Sequence, residues 1–284
     1  ATPVITEMMF YNKQFGSISI DTIYFGGGTP NVLSADSFQQ IMDGIHRYFN
    51  VQPDIEVTME MNPGARALDS LQPFVDMGVR RVSVGVQSFD ADVLSFYGRN
   101  HSVDDSIRFL DALDGYGLEN VSVDIIFGHR EHTVQQLADS LDVVVERGIP
   151  HVSLYGLSVE SGTQFDRQKV RVDDTVQHEQ YTFIQNVLTQ NGYQQYEVST
   201  FCKSGMESIH NVKYLKFESV IGIGPGAHSY FIGHRYQNKD DYKEYIHQID
   251  QVIPTKLRAL DTTDFELYLA TRLRYFQPIF QYDI

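Results

Sequence analysis

The chain has 284 residues, of which 42% are hydrophobic and 21% charged, a composition that is ordinary for a folded protein and excludes disorder as its main state. Its 22 basic and 37 acidic residues leave a formal net charge of -15, which excludes an electrostatic attraction to nucleic acid or to an anionic membrane. One cysteine, Cys202, excludes an internal disulfide, and no apolar run approaches the ~20 residues that span a bilayer, so we expect a cytoplasmic protein without membrane insertion.

Short strand-like runs alternate with amphipathic stretches along most of the chain. The predicted strands are Thr22–Gly26, Ile55–Met61, Arg81–Gln87, Val121–Phe127, Val152–Ser158 and Gln195–Phe201. The predicted helices between them are Ser37–Phe49, Leu68–Met77, Val103–Tyr116, Val134–Glu146 and Val176–Gln190. Glycines follow the helical runs, where a left-handed terminal residue is favoured. Repeated strand, helix and glycine are typical of parallel β/α units.

The alternation of predicted strands and helices becomes less regular after the sixth predicted strand. We therefore assign residues 1–200 to a β/α barrel and residues 201–284 to a smaller mixed α+β region. This second region contains the loop Gly222–Tyr230 and two predicted helices near Asp241–Val252 and Thr263–Tyr275.

Polar side chains recur at alternate positions of three successive strands. They are Glu56, Thr58 and Glu60 in one strand, Ser83 and Gln87, with Gly85 between them, in the next, and Ser122 and Asp124 in the third. Because unpaired buried polar groups are costly, such a face must point at something polar. An open doubly wound sheet would also fit the alternation, but it concentrates its ligand groups at one switch point. The pattern favours an incomplete barrel with a polar lumen.

Several chemical groups follow the predicted strand ends. The run Gly26-Gly27-Gly28-Thr29-Pro30 lets backbone approach a ligand, although a plain tight turn is an equal alternative. Later strand ends carry Glu60, Gln87, Asp124 and Gly156, and Arg99 lies in a loop beyond Gln87. Carboxylates can accept ribose hydroxyls, and an arginine can hold a carboxylate.

These motifs together resemble the radical S-adenosylmethionine (SAM) family of oxygen-independent coproporphyrinogen III oxidases, nearest its haem-chaperone-like branch. The resemblance rests on seven segments in order: Tyr24–Pro30, Glu60–Gly64, Arg81–Phe89, Tyr97–Arg99, Asp124–Gly128, Tyr155–Leu157 and Gly222–Tyr230. The branch signature is the run His210-Asn211-Val212-Lys213-Tyr214, although Leu215 stands where tryptophan is favoured.

The resemblance implies a (β/α) TIM-like radical SAM barrel, SAM as a cofactor and a set of contacts to it. Gly27, Gly28 and Thr29 would hold the methionine end of SAM. Glu60, Gln87, Arg99 and Asp124 match positions that contact its nucleoside or amino-acid part. Gly156 matches a backbone contact, and His228 a weaker one.

The resemblance also implies a [4Fe–4S] cluster, held by a Cys-x-x-x-Cys-x-x-Cys loop after the first barrel strand, upstream of the glycine run. This sequence has Cys202 alone, far downstream, so the chain as given cannot assemble that cluster and we expect no catalytic residue in it. We take the first strand and its cysteine loop to be missing.

Histidines supply the remaining candidates. His210, with Tyr214 in the same run, is the preferred contact for haem or porphyrin, although His210 could equally bond a loop carbonyl and Tyr214 could be core. His129 and His132 lack a third ligand at useful spacing, so no zinc site is expected. We interpret Cys202 as a buried filler rather than a nucleophile.

Three functions follow as hypotheses. The first is an oxidoreductase of porphyrin biosynthesis that cleaves SAM reductively and decarboxylates coproporphyrinogen III, supplied by an electron-donor protein. The second is a haem chaperone of the same family without oxidase activity. The third, given little weight, is a barrel hydrolase whose carboxylates bind a divalent metal.

Overall fold

The computed structural model describes residues 1–64, 71–118, 120–250 and 271–276. Its helices are α1 (Thr2–Phe15), α2 (Ala35–Tyr48), α3 (Leu71–Asp76), α4 (Ala91–Phe96), α5 (Val103–Leu113), α6 (Val134–Glu146), α7 (Gln164–Arg167), α8 (Asp174–Gln190), α9 (Ile209–Leu215) and α10 (Tyr242–Asp250). Its strands are β1 (Ile18–Phe25), β2 (Phe49–Met61), β3 (Arg81–Gln87), β4 (Asn120–Phe127), β5 (His151–Gly156), β6 (Gln194–Glu197), β7 (Thr200–Cys202), β8 (His228–Phe231) and β9 (His234–Gln237).

The main sheet has seven strands in the order β1-β2-β3-β4-β5-β7-β6, and β8 and β9 form a separate antiparallel pair. Strands β3, β4 and β5 pair in parallel, and β7 joins β5 antiparallel. Successive parallel strands separated by helices are β/α units, so the fold class predicted from the sequence is confirmed.

The chain divides into two compact units, each made of the described residues within its segments. Unit 1 comprises Ala1–Thr58, Pro73–Val79 and Ser208–Ile284, and unit 2 comprises Met59–Gln72 and Arg80–Glu207. The assignment of residues 1–200 and 201–284 to separate domains stays a prediction.

Unit 2 is built by β/α units with well-defined helix starts. Ser102 and Thr133 each form a reciprocal capping box that satisfies the first amides of α5 and α6. The apolar positions of β3 and the inward positions of α6 are fully buried: Val82, Val84, Val86, Leu137, Leu141 and Val144. Burying such side chains contributes roughly 1.5–3 kcal/mol each and holds the helices against one face of the sheet.

Unit 1 contains a helix that the sequence pattern did not predict. Helix α1 buries Met8 and Tyr11, and Tyr11 packs edge-on to Phe231 at a ring distance of 6.3 Å.

In the described part of the chain no helix is both long and apolar enough to cross a bilayer.

The prediction of a single late strand over Gln195–Phe201 is wrong. The chain turns back between β6 and β7 because the Glu197 carboxylate accepts the Ser199 backbone N–H at 2.8 Å, and the two short strands pair antiparallel. A side chain that binds the backbone two residues on favours a turn over continued strand. The predicted helix Thr263–Tyr275 lies mostly outside the described residues, as do residues 68–70 of the predicted helix Leu68–Met77.

Candidate functional site

Unit 2 carries a continuous polar face, made of alternate residues on its parallel strands. The β4–β5 register sets Ser122 beside His151 and Asp124 beside Ser153. From β3, the Ser83 hydroxyl donates to both carboxylate oxygens of Asp124, at 3.1 and 3.2 Å. The alternation read from the sequence therefore brings polar side chains of neighbouring strands into contact, as the parallel pleat requires.

Asp124 is the electrostatic centre of this polar face. Burial, with a smaller contribution from the charge of Glu60, raises the pKa of Asp124 to about 6. Hydrogen bonds from Ser153 and Ser83 and the charge of Arg81 oppose the rise. The charge of Glu60 acts on Asp124, and two neighbouring carboxyl groups form an environment that favours a bound cation or hydroxyl donor.

Two side-chain amides stand at the carboxyl end of β3. A Cβ added at Gly85 would lie 2.7 Å from Asn62 Oδ1 and 2.9 Å from Gln87 Nε2, so Gly85 leaves the room that both amides occupy. Gln87 itself is buried and has a φ of 70°. A non-glycine residue in this left-handed region is strained, and such strain concentrates at functional sites.

Arg99 lies in the loop after α4, half-buried. In the same loop His101 Nε2 lies 3.0 Å from the carbonyl oxygen of Val86, which places the loop beside the last residues of β3. Burial lowers the pKa of Arg99, whose Nε is buried and has no hydrogen-bond partner among the described residues. A ligand carboxylate is the kind of group that would satisfy it.

Gly156 ends β5 and lines a cavity of 340 Å³ on unit 2. The cavity also contacts Leu154 and Phe127, the residues that point away from Asp124 in the strand alternation. Beside Gly156, the Gln177 amide donates to the Leu157 carbonyl at 2.7 Å. The Gly156 backbone thus lies at a cavity wall, and its contact with a cofactor stays a prediction.

Sequence reasoning missed three members of the polar face, namely Arg81, Ser153 and Glu197. The evidence for Glu197 comes from Tyr155, which is 44% exposed as a whole residue. Desolvation, with contributions from the carboxylates of Asp124, Glu197 and Glu60, raises the pKa of the Tyr155 hydroxyl to about 12. Reading every second residue back along β3 and β5 would have found Arg81 and Ser153, since they share the period of Ser83 and Tyr155.

The remaining predicted cofactor contacts belong to unit 1. Gly27 has a φ of 83°, which suits glycine, and Gly27, Gly28 and Thr29 are exposed. His228 begins β8 and is also exposed. The structure thus places the glycine run and His228 in one unit and the other five predicted SAM contacts in the other.

His210 is held on unit 1 by three contacts. Its Nδ1 lies 2.9 Å from the Thr22 hydroxyl, and its ring stacks on Tyr24 at a centroid distance of 5.0 Å. The Glu56 carboxylate accepts the backbone N–H groups of Ile209 and His210, at 3.1 and 2.9 Å. Tyr214, one helical turn on, is 47% exposed rather than core.

The expectation that Glu56 points at a polar ligand is therefore wrong. Glu56 binds the N-terminus of α9, where orphan amides and the helix dipole favour a carboxylate.

Glu7, a residue that no sequence pattern indicated, anchors the loop Gly222–Tyr230. It is fully buried, and its carboxylate accepts from Gly224 N at 3.0 Å, Asn238 Nδ2 at 2.9 Å and Tyr245 Oη at 2.6 Å. These three donors satisfy it and fix the loop against α1.

The residues of this chain do not fit an iron–sulfur cluster. Cys202 is the one cysteine of the sequence; it is fully buried, and burial raises its pKa to about 12. The described residues hold no group of three or more His, Cys, Asp or Glu arranged to bind a metal ion. Thiolates, not buried thiols, ligate such clusters, so the three ligands expected from the resemblance are not among these 284 residues.

Known proteins resemble this chain over most of its length. A family model described as the radical SAM superfamily matches residues 11–144. The haem chaperone HemW of Lactococcus lactis is 33% identical over 254 residues, which are 87% of this chain and 66% of that protein. The haem chaperone HemW of Escherichia coli is 36% identical over 210 residues, or 74% of this chain and 56% of that protein.

A solved structure shares the fold. Coproporphyrinogen III oxidase (HemN) from Escherichia coli, a radical SAM enzyme, superposes with a TM-score of 0.82 at 20% identity, over 97% of this chain and 68% of that one. The chain spans about half to two-thirds of the length of the curated relatives it matches.

Proposed function

The chain belongs to the radical SAM superfamily, within its family of coproporphyrinogen III oxidase-like proteins and haem chaperones, and from this premise we propose that it binds SAM and haem as a protein of the haem-chaperone type. The two bacterial relatives described above carry the name of haem chaperone, which supports the second hypothesis of the sequence analysis. The oxidase hypothesis is supported by the structural similarity to HemN, but at 20% identity that similarity concerns the fold alone.

The observation that carries SAM binding is the pair of carboxyl groups, Glu60 and Asp124, on the polar face of unit 2. SAM combines a sulfonium and an ammonium cation with a carboxylate and ribose hydroxyls. Glu60 and Asp124 would accept the hydroxyls and attract the cations, Gln87 would bind a polar edge, and Arg99 would hold the carboxylate. The donor set therefore fits the chemistry of this cofactor.

Gly156 is a further proposed contact on unit 2. The SAM contacts that the resemblance implies for Gly27, Gly28, Thr29 and His228, which belong to unit 1, stay predictions. When SAM is bound at a reduced cluster, it supplies an adenosyl radical in this superfamily. Since the cluster ligands are not in this chain, the residues here bind and orient the cofactor, and no redox step is assigned to them.

Haem binding is proposed at α9. His210 would provide an imidazole, the commonest protein ligand of haem iron, and Tyr214 would offer an aromatic edge from the same helix. The contacts of His210 to Thr22, Tyr24 and the capped helix start orient its ring without relying on loop residues.

Equilibrium dialysis with radiolabelled SAM tests the cofactor site. We expect Glu60→Gln and Asp124→Asn each to weaken SAM binding at least about tenfold, because each removes a charge that faces the cofactor. Arg130→Ala is the control, since Arg130 is exposed and outside the polar face. Wild-type affinity in both carboxylate variants, with circular dichroism unchanged, would overturn the SAM assignment.

Hemin titration followed by Soret absorbance tests the second ligand. His210→Ala should abolish the band of the histidine-ligated complex, whereas His234→Ala, at an exposed histidine of unit 1, should retain it. An unchanged band in His210→Ala contradicts the haem site. Decarboxylation of coproporphyrinogen III by the protein with a cluster supplied would instead support the oxidase hypothesis.

A further inference from the structure

Arg81 is a buried arginine that has no ion-pair partner among the described residues. It is the first residue of β3, on unit 2, and is 2% exposed. Its Nε and Nη1 have no hydrogen-bond partner among the described residues, and none of the ion pairs found there includes it. Because a guanidinium stays protonated in proteins, this position holds a full positive charge inside the unit. Burying such a charge is energetically unfavourable unless it interacts with another charged or polar group.

The histidine beside Arg81 does not neutralise this charge. Arg81 Nη2 lies 3.5 Å from His151 Nδ1, which is also 2.7 Å from the Ser122 hydroxyl, while His151 Nε2 lies 2.9 Å from the Tyr196 hydroxyl. A guanidinium can only donate, so Nδ1 accepts and the ring proton sits on Nε2. Burial, and then the charge of Arg81, hold the pKa of His151 well below its ordinary value. The histidine is therefore neutral, and the positive charge persists.

The strand register places Arg81 on the same side of the sheet as Asp124. Arg81 and Ser83 lie on the same side of β3, two residues apart, and Ser83 donates to both oxygens of Asp124. The groups that face Asp124 come from every strand around it: Glu60 on β2, Ser83 on β3, and Ser153 and Tyr155 on β5. Among the charges that act on Asp124, Arg81 is the positive one and Glu60 the negative one.

We propose that Arg81 is a positioning residue of the polar face that keeps Asp124 ionised, so that Asp124 can bind the cofactor while Arg81 itself makes no contact with it. The inference rests on the proposed function only in its last step, the binding of SAM by Asp124. The arrangement explains why a positively charged Arg81 is retained in the interior. Its charge favours ionised Asp124, which desolvation and the negative charge of Glu60 disfavour.

The first test measures Asp124 itself and needs no cofactor. Carbon-13 NMR of aspartate-labelled protein, with the signal assigned through Asp124→Asn, should show a midpoint of about 6 in the wild type. In Arg81→Met the midpoint should rise by about one unit, because an opposite charge is lost nearby. Arg81→Lys should restore most of the wild-type value. An unchanged midpoint in a folded Arg81→Met protein overturns the proposal.

The second test follows SAM affinity from pH 5 to pH 9. In Arg81→Met the pH below which affinity declines should move up by about one unit, with binding near wild type at pH 9. In an Asp124→Asn background, Arg81→Met should cause no further loss. A loss of equal size at every pH, or an additive loss in the double variant, indicates a merely structural role and contradicts the proposal.

The two tests separate the possible failures. If wild-type protein does not bind SAM, the proposed function fails while the NMR titration still decides the role of Arg81. If Arg81→Met does not fold, Arg81→Gln, which keeps a polar planar group without charge, replaces it in both measurements. Arg130→Met, at an exposed arginine, is the matched control and should shift neither midpoint.

Discussion

Two carboxyl groups, the fully buried Glu7 in unit 1 and the half-buried Asp124 in unit 2, have opposite surroundings. In unit 1, Glu7 accepts a backbone amide, a side-chain amide and a tyrosine hydroxyl, so its oxygens are saturated by the protein. In unit 2, Asp124 receives serine hydroxyls and lies near a second carboxylate, and its pKa is raised to about 6. Satisfied carboxylates stabilise a fold, whereas one whose ionised form is disfavoured by its surroundings is poised for a ligand.

Replacement of Glu7 should produce the largest loss of stability. Glu7→Ala removes the acceptor of three buried donors, of which the Asn238 amide keeps its bond to the Gly224 carbonyl at 2.7 Å, so we expect the free energy of unfolding to fall by about 3 kcal/mol. Urea unfolding followed by circular dichroism measures it. Glu179→Ala, at an exposed glutamate, should change stability by less than about 0.5 kcal/mol. Equal stabilities of Glu7→Ala and wild type would show that the hydrogen bonds to Glu7 do not stabilise the fold.

The pH dependence of stability should reveal the raised pKa of Asp124. The folded-state pKa of Asp124 is raised from 3.8 to about 6, so its contribution is fully present below pH 4 and is lost as the pH rises through 6. Asp124→Asn removes this dependence, and its stability relative to wild type should increase by about 2 kcal/mol between pH 4 and pH 8. Urea midpoints across this range measure it. A stability difference between Asp124→Asn and wild type that does not vary with pH would contradict the raised pKa of Asp124.

A substitution at Gly85 should have the smallest effect on stability and a selective effect on binding. Gly85→Ala places a Cβ against the ends of the Asn62 and Gln87 side chains, which can move. We expect a change in stability within about 1 kcal/mol but a loss of SAM affinity of about tenfold, because the amides leave their positions. Gly115→Ala, where a Cβ meets nothing within 4 Å, is the control. Unchanged affinity in Gly85→Ala would exclude these amides from the site.

The alternation of side chains by itself determined the fold class and the polar face of unit 2. Successive residues of a strand point to opposite sides, so Ser83, Ser122 and Asp124 had to share a face once their strands were in parallel register. The same period could have indicated Arg81 and Ser153, but not that Arg81 lacks an ion-pair partner in the described part of the chain.

Only the tertiary structure decided what each acidic residue does. Glu56 continues the strand pattern of Glu60, yet it caps a helix whose amide is 154 residues away in sequence. Glu7 meets Gly224 and Tyr245 across separations of 217 and 238 residues. The turn at Ser199 also depends on where the Glu197 carboxylate points. Local patterns fix which face of an element a side chain takes, but its partner comes from another part of the chain that no local period encodes.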